Sequence, residues 1–222
     1  KQVMDYLIEV DNRAKVNQTS LLTGIPTQDP RERRYYNSML ALGESRGQYD
    51  KTRLVPFGEY VPLEGILRGL NRFFDLPMSS FSLGAAKQSL LTAKGQSIAT
   101  AICYEIAYPN LVADRAANAS ILMTVSNDAW FGRSMAPRQH MQMARMRAIE
   151  NRKPLMRGTN NGVTALVDYK GNIYQQLEQY SAGELSGTVV PRVGQTFFNR
   201  FGSWPAVILS LLISLGLASR RG

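Results

Sequence analysis

The sequence predicts a layered α/β domain. Short apolar runs alternate with segments of helical spacing along the middle of the chain. Of the 222 residues, 44% are hydrophobic and 19% charged, enough to bury a core between such layers and too apolar for wholesale disorder. The single cysteine, Cys103, rules out an intrachain disulfide scaffold and any Cys-cluster metal site, and the single histidine, His140, argues against an ordinary structural zinc site.

The elements follow in order. Val3, Leu7 and either Val10 or Ala14 keep helical spacing, so the chain opens inside a helix, without signal-peptide character, and reads as a portion of something longer. Residues 20–25 read as a strand closed by Pro26, and 35–42 as a second strand. Pro, Gly and Pro deny residues 49–62 regular structure, which makes that stretch a loop. Leu63, Ile66, Leu67, Leu70, Phe73 and Phe74 then form one apolar stripe at helical spacing, with Glu64, Arg68, Asn71 and Arg72 opposite. Such a helix either packs on its own domain or lies as an interfacial arm in a membrane surface. Residues 89–92 and 97–103 flank Ala93-Lys94-Gly95-Gln96, a hairpin signal. Residues 111–118 are helical, and the continuous apolar run 121–125 is a buried strand. Residues 137–152 form a helix with Pro137 at its start and Pro154 as its stop. Residues 155–157 and 163–167 are strands, the latter followed by a Tyr169-Lys170-Gly171-Asn172 turn.

The C-terminal end differs in character. Trp204 to Ala218 carry no charge, and Ser219-Arg220-Arg221 follow. A full membrane span needs about 20 such residues, so the run is short. Trp at one end and paired Arg at the other are interface anchors, and the Arg pair predicts a cytoplasmic C-terminus. The expected organisation is a catalytic domain over residues 1–200 and a transmembrane segment over 204–219. A buried core helix is the alternative.

The chain carries 26 basic and 17 acidic residues, a net charge of +9, and 19 of the basic residues are Arg. That surplus suggests a polyanion nearby, nucleic acid or an anionic lipid surface. No RNA-binding, zinc-finger or helix-turn-helix signature is present, which argues against nucleic acid.

Cys103 ends an apolar strand and precedes Tyr104-Glu105. A lone cysteine is often a buried core thiol. The C-terminal end of a strand, however, is where an α/β sheet presents reactive groups. A nucleophilic cysteine also needs a cation or a base beside it. Lys51, in the 49–62 loop, is a candidate cation, although taken alone it reads as an ordinary solvated lysine. His140 offers a rival Cys–His pair, although it lies mid-helix beside Met141.

Five motifs in order decide more than any one residue. They are Lys51-Thr52-Arg53-Leu54-Val55-Pro56-Phe57-Gly58-Glu59-Tyr60-Val61-Pro62, Cys103-Tyr104-Glu105, Ser126-Asn127-Asp128-Ala129-Trp130-Phe131-Gly132, the stretch from Arg145 to Pro154, and Gly158-Thr159-Asn160-Asn161-Gly162. In this order they resemble the nitrilase superfamily, with its Glu-Lys-Cys triad on an αββα sandwich, and within it most closely the apolipoprotein N-acyltransferase family of the bacterial inner membrane. The likeness covers nearly the whole chain.

That resemblance implies roles. Cys103 matches the nucleophile, Lys51 the triad lysine that stabilises the oxyanion, and Glu59 the family's supporting glutamate. Tyr104 and Glu105 match the residues flanking the nucleophile, with the Tyr104 amide as an oxyanion donor, and Trp130 matches a position near the acyl site. Tyr104, Glu105 and Trp130 are thereby expected at the substrate. One element departs from the pattern: the triad's general-base glutamate belongs to a strand upstream of the one ending at Gly24-Ile25-Pro26, and Glu9, in the opening helix, does not match it. The resemblance further implies a phospholipid acyl donor such as phosphatidylethanolamine, a diacylglyceryl-modified apolipoprotein acceptor, no cofactor or metal, and a catalytic domain on the periplasmic face. A soluble amidase or nitrile hydrolase of the same superfamily, and a non-catalytic basic membrane-surface module, are the alternatives.

Overall fold

A computed structural model describes residues 2–60 and 81–219. The amphipathic stripe from Leu63 to Phe74 and the terminal Arg220-Arg221 pair lie outside the described residues.

Helix α1 spans Gln2–Val16. Its Leu7, Val10 and Ala14 are the half-buried side, while Val3 is exposed. Strands β1 (Ser20–Gln28) and β2 (Tyr35–Gly43) form an antiparallel hairpin in continuous register from Ser20↔Gly43 to Gln28↔Tyr35. The sequence reading stopped β1 at Pro26, yet the strand runs on to Gln28 and Pro26 pairs with Asn37. The reason is position. Among the described residues β1 is the edge of a three-stranded sheet ordered β1-β2-β4, and an edge strand tolerates a residue with no N–H to donate. The Arg31-Glu32-Arg33-Arg34 run forms the exposed tip of this hairpin.

The second sheet has seven strands: β3 (Ser45–Arg46), β5 (Leu91–Ala93), β6 (Gln96–Ile102), β7 (Ile121–Asn127), β8 (Leu155–Asn160), β9 (Ala165–Val167) and β10 (Ile173–Gln176), ordered β10-β9-β8-β7-β6-β5-β3. Strand β4 (Gln48–Asp50) belongs to the smaller sheet. The β5–β6 hairpin turns on Lys94 and Gly95, both at positive φ, the backbone that a two-residue type I′ turn requires. Strands β6, β7 and β8 are parallel. Their crossovers carry α2 (Pro109–Ala116) and α3 (Ala136–Asn151).

The alternation within β6 explains the layers. Ile98 and Ile102 face the smaller sheet and pack with Met39 of β2, Tyr49 of β4, Leu91 and Ile121. Ala99 and Ala101 face the other way, into a cluster with Val112 and Ala116 of α2, Met141, Ala144 and Ala148 of α3, and Leu122 and Leu155. Large side chains fill the space between the sheets, and alanines let the helices approach closely. Burying each large apolar side chain is worth about 1.5–3 kcal/mol. The result is a nitrilase-like α/β fold with helices over one face of the larger sheet and the smaller sheet on the other.

After an irregular stretch, α4 (Phe197–Phe201) ends at Gly202, whose φ is +55°, and α5 (Trp204–Ser219) begins. The side chain of Asn199 donates to the Ala113 carbonyl at 3.0 Å and also reaches Asn151, which pins α4 to α2 and α3. Helix α5 has 16 residues, and its side chains are exposed from Ala206 to Ser219. Among the described residues no helix is long and apolar enough to cross a membrane.

Candidate active site

The parallel strands end together, and their C-terminal ends carry the residues of interest: Cys103 after β6, Asp128 after β7, and Thr159 and Asn160 at the end of β8. Cys103 is half-buried and opens a single 3₁₀ turn, Cys103–Ala107. Its φ is +52°, a left-handed backbone that costs a side-chain-bearing residue roughly 1–2 kcal/mol. Strain of this kind on a sharp strand-to-turn corner is held in place only by its surroundings.

Two carboxylates organise those surroundings. Glu59 is bound by Lys51, whose Nζ donates to Oε1 at 2.8 Å and to Oε2 at 2.7 Å. The Val55 amide (2.7 Å) and the Asn37 side chain also donate to it. Lys51 is only 1% exposed, so its ammonium is a buried cation neutralised by one carboxylate. The loop backbone is fixed as well: Lys51 N–H donates to the Asn37 carbonyl at 2.8 Å, and Gly84 N–H donates to the Lys51 carbonyl at 2.9 Å.

Glu105 was expected against substrate. The structure instead buries it completely, with both oxygens engaged. Oε1 accepts from the Tyr49 hydroxyl (2.6 Å), Thr52 N–H (2.7 Å), the Thr52 hydroxyl (2.9 Å) and Arg53 N–H (3.2 Å). Oε2 accepts from Ile102 N–H at 2.8 Å. Glu105 therefore clasps the Lys51 loop to the Cys103 turn, since its backbone donors are the two residues after Lys51 and the residue before Cys103. Burial, reinforced by the charge of Glu105, raises the Tyr49 phenol above its ordinary pKa, while the Arg115 guanidinium, 3.7 Å from the Tyr49 ring centre, opposes the shift. Arg53 lies over the Tyr108 ring at 5.9 Å, a second link between loop and turn.

Tyr104 is 37% exposed and packs edge-on against Tyr108. Trp130 is 72% exposed in the 3₁₀ turn Asp128–Phe131. Both present aromatic surface outward.

A third cluster was not assembled by sequence reasoning. Asp128 is wholly buried, and its Oδ1 accepts from the Ser126 hydroxyl at 2.5 Å. Its Oδ2 accepts from Arg157 Nη2 at 3.0 Å. His140 of α3 places Nδ1 3.0 Å from Asp128 Oδ1 and 3.0 Å from Arg157 Nη2, and Nε2 3.2 Å from the Cys103 carbonyl oxygen. That contact is with the backbone of Cys103, and a carbonyl only accepts, so Nε2 is a donor there. Burial opposes the Asp128 charge, but hydrogen bonds from His140 and Ser126 and the Arg157 guanidinium outweigh it and hold the carboxyl below the usual carboxylate range. The available signal was Arg157, a charge closing an otherwise apolar buried strand.

With this geometry in hand, the sequence profile of the carbon-nitrogen hydrolase family matches residues 5–196. The chain belongs to the carbon-nitrogen hydrolase family. It is 49% identical over 220 residues to an apolipoprotein N-acyltransferase of Azotobacter vinelandii, covering 98% of this chain and 42% of that protein. A protein of the same name from Vibrio parahaemolyticus is 43% identical over 233 residues, covering 99% of this chain and 46% of the relative. The chain thus spans less than half the length of these relatives. Among solved structures, a carbon-nitrogen hydrolase from Helicobacter pylori superposes with a TM-score of 0.59 at 15% identity, covering 79% of this chain and 63% of that one, a likeness of fold.

Proposed function

We propose that this chain is the catalytic portion of an apolipoprotein N-acyltransferase. The observation that carries the reading is the 49% identity, across 98% of the chain, to a relative of that name. The burial of Lys51 and the Glu105 clasp between its loop and the Cys103 turn support it.

In this reading the Cys103 thiolate attacks the ester carbonyl of a phospholipid acyl chain. The tetrahedral oxyanion collapses to a thioester and expels the lysophospholipid oxygen, which takes up the proton that the general base removed from the thiol. The neutral α-amino group of a diacylglyceryl-cysteine, as in an apolipoprotein, then attacks the thioester. An amide forms and the thiolate is regenerated. Lys51 and the Tyr104 amide stabilise the oxyanion of each step. Glu59 orients Lys51, and Glu105 positions the loop rather than touching substrate. Trp130 and Tyr104 offer exposed aromatic surface to the acyl chain. Glu9 is not assigned as the general base, since it lies on exposed α1, 3.8 Å from Arg13.

Helix α5 enters the bilayer. At 1.5 Å per residue its 16 residues extend about 24 Å, most of a hydrocarbon core of about 30 Å. It lacks charge and exposes Leu211, Leu212 and Leu215, which have no covering partner among the described residues. Residues 1–200 then form the domain on the periplasmic face of a bacterial inner membrane.

The deciding experiment is intact mass of the full-length protein after incubation with phosphatidylethanolamine. A gain of one acyl group, released by hydroxylamine and absent in Cys103→Ala, is expected. No acyl gain, together with turnover of a small soluble amide, would transfer the reading to an amidase.

A further inference from the structure

The Asp128–His140–Arg157 cluster has no part in the chemistry above, yet it ends on the nucleophile. We infer that His140 is a positioning residue: held by Asp128 and Arg157, it pins the carbonyl of Cys103 and so keeps the thiol-bearing residue in its left-handed conformation. This inference rests on Cys103 being the nucleophile, as proposed above.

The geometry supplies each link. The carbonyl of Cys103 follows directly from the strained φ, so a donor that fixes that oxygen fixes the peptide plane leading to Tyr104. The imidazole is held at its other nitrogen whichever tautomer it adopts: protonated, Nδ1 donates to Asp128 Oδ1 at 3.0 Å, and unprotonated, it accepts from Arg157 Nη2 at 3.0 Å. The Phe131 ring packs edge-on against it, centroids 6.1 Å apart. Asp128 is in turn hemmed in by Gly162, where an added Cβ would stand 2.2 Å from Asp128 Oδ2. The cluster therefore joins residues of β8 and of the segments that follow β6 and β7 to one backbone oxygen. Glu105 fixes the turn from the Lys51 side, and His140 fixes it from the opposite strands. Small displacements of a reacting atom can cost on the order of a hundredfold in rate.

The test uses the full-length enzyme and three variants: His140→Ala, His140→Gln and Gly162→Ala. The glutamine amide lies the same number of bonds from Cβ as imidazole Nε2, and it can donate to the same carbonyl. Single-turnover acylation of Cys103 by a p-nitrophenyl acyl ester is measured with melting temperature, followed by alkylation of Cys103 by iodoacetamide. In His140→Ala the acylation rate constant is expected to fall at least about tenfold, with half-saturating ester concentration unchanged. His140→Gln should return to within about threefold of wild type. Gly162→Ala, which displaces Asp128 without touching the histidine, should fall between them. Alkylation at neutral pH should rank the variants in the same order, because the thiol is presented by the turn whose first carbonyl His140 holds. Wild-type acylation in His140→Ala, or a His140→Gln protein that folds yet is as slow as alanine, overturns the inference. If His140→Ala does not fold, the glutamine and Gly162→Ala variants decide by the same measures. If the wild-type protein takes no acyl group at all, the acyltransfer reading fails, and the alkylation ranking still tests His140.

Discussion

Replacing Glu105 by Gln separates a clasp from a substrate contact. The carboxylate accepts on Oε1 from Tyr49, from both the amide and hydroxyl of Thr52, and from Arg53, and on Oε2 from Ile102 N–H. Glutamine has one accepting oxygen. Kept toward Tyr49 and Thr52, it turns an NH₂ group against Ile102 N–H, donor against donor. The orphaned buried amide costs about 1–3 kcal/mol, and the remaining bonds drop from charge-assisted to neutral strength. Removing a buried charge offsets part of this, for a net loss of about 2–4 kcal/mol. At roughly 2–4 °C per kcal/mol for a domain of this size, the melting temperature should fall by about 4–16 °C. Thermal unfolding of the full-length protein, with steady-state acyl transfer below the transition, is the assay. The clasp predicts a lower melting temperature and a lower kcat with KM little changed. A melting temperature within about 2 °C of wild type, with KM raised, would return Glu105 to the substrate and refute the reasoning.

Lys51→Met should reduce acyl transfer by about 10²–10³, the usual consequence of losing an oxyanion donor, as read from single-turnover rates on folded protein. Glu59→Ala strips the carboxylate from a cation that is 1% exposed, and an uncompensated buried charge should cost about 3–5 kcal/mol in chemical denaturation. Gly84→Ala places a Cβ 2.3 Å from the Asp50 carbonyl oxygen, so it should shift the backbone that precedes Lys51 and lower both melting temperature and activity. Asp128 has a folded pKa below its unfolded value of 3.8, so its contribution to stability is present above pH ~4 and is lost as pH falls through the folded pKa. The melting-temperature gap between wild type and Asp128→Asn should therefore be constant from pH 7 to about 5 and close in stronger acid.

Much of this architecture was legible in the sequence because it rests on local rules. The Lys94-Gly95 turn, the buried run at Ile121 and the proline bounds of α3 each express a constraint that a few adjacent residues satisfy. Strand β10 and the short β3 and β4 were not legible, since their pairing depends on partners far along the chain and their composition is ordinary. Pro26 misled for a related reason: a proline ends an interior strand but not an edge, and edge status is decided by topology. At the site, the motif residues could be listed from the sequence, but the direction of Glu105 depended on Tyr49 and Thr52, more than fifty residues away. Likewise, no local pattern says that the ring of His140 faces a carbonyl 37 positions earlier.

The left-handed backbone at Cys103 sets two selective pressures against each other. At that corner glycine is the residue the backbone prefers, so Cys103→Gly should relieve strain even as it removes the thiol. Under the mechanism proposed above, drift toward greater stability would discard the thiol, and its chemistry is what keeps a side chain there. Screening on melting temperature alone, applied without an activity readout, would thus find an attractive mutation at the position the proposed chemistry depends on.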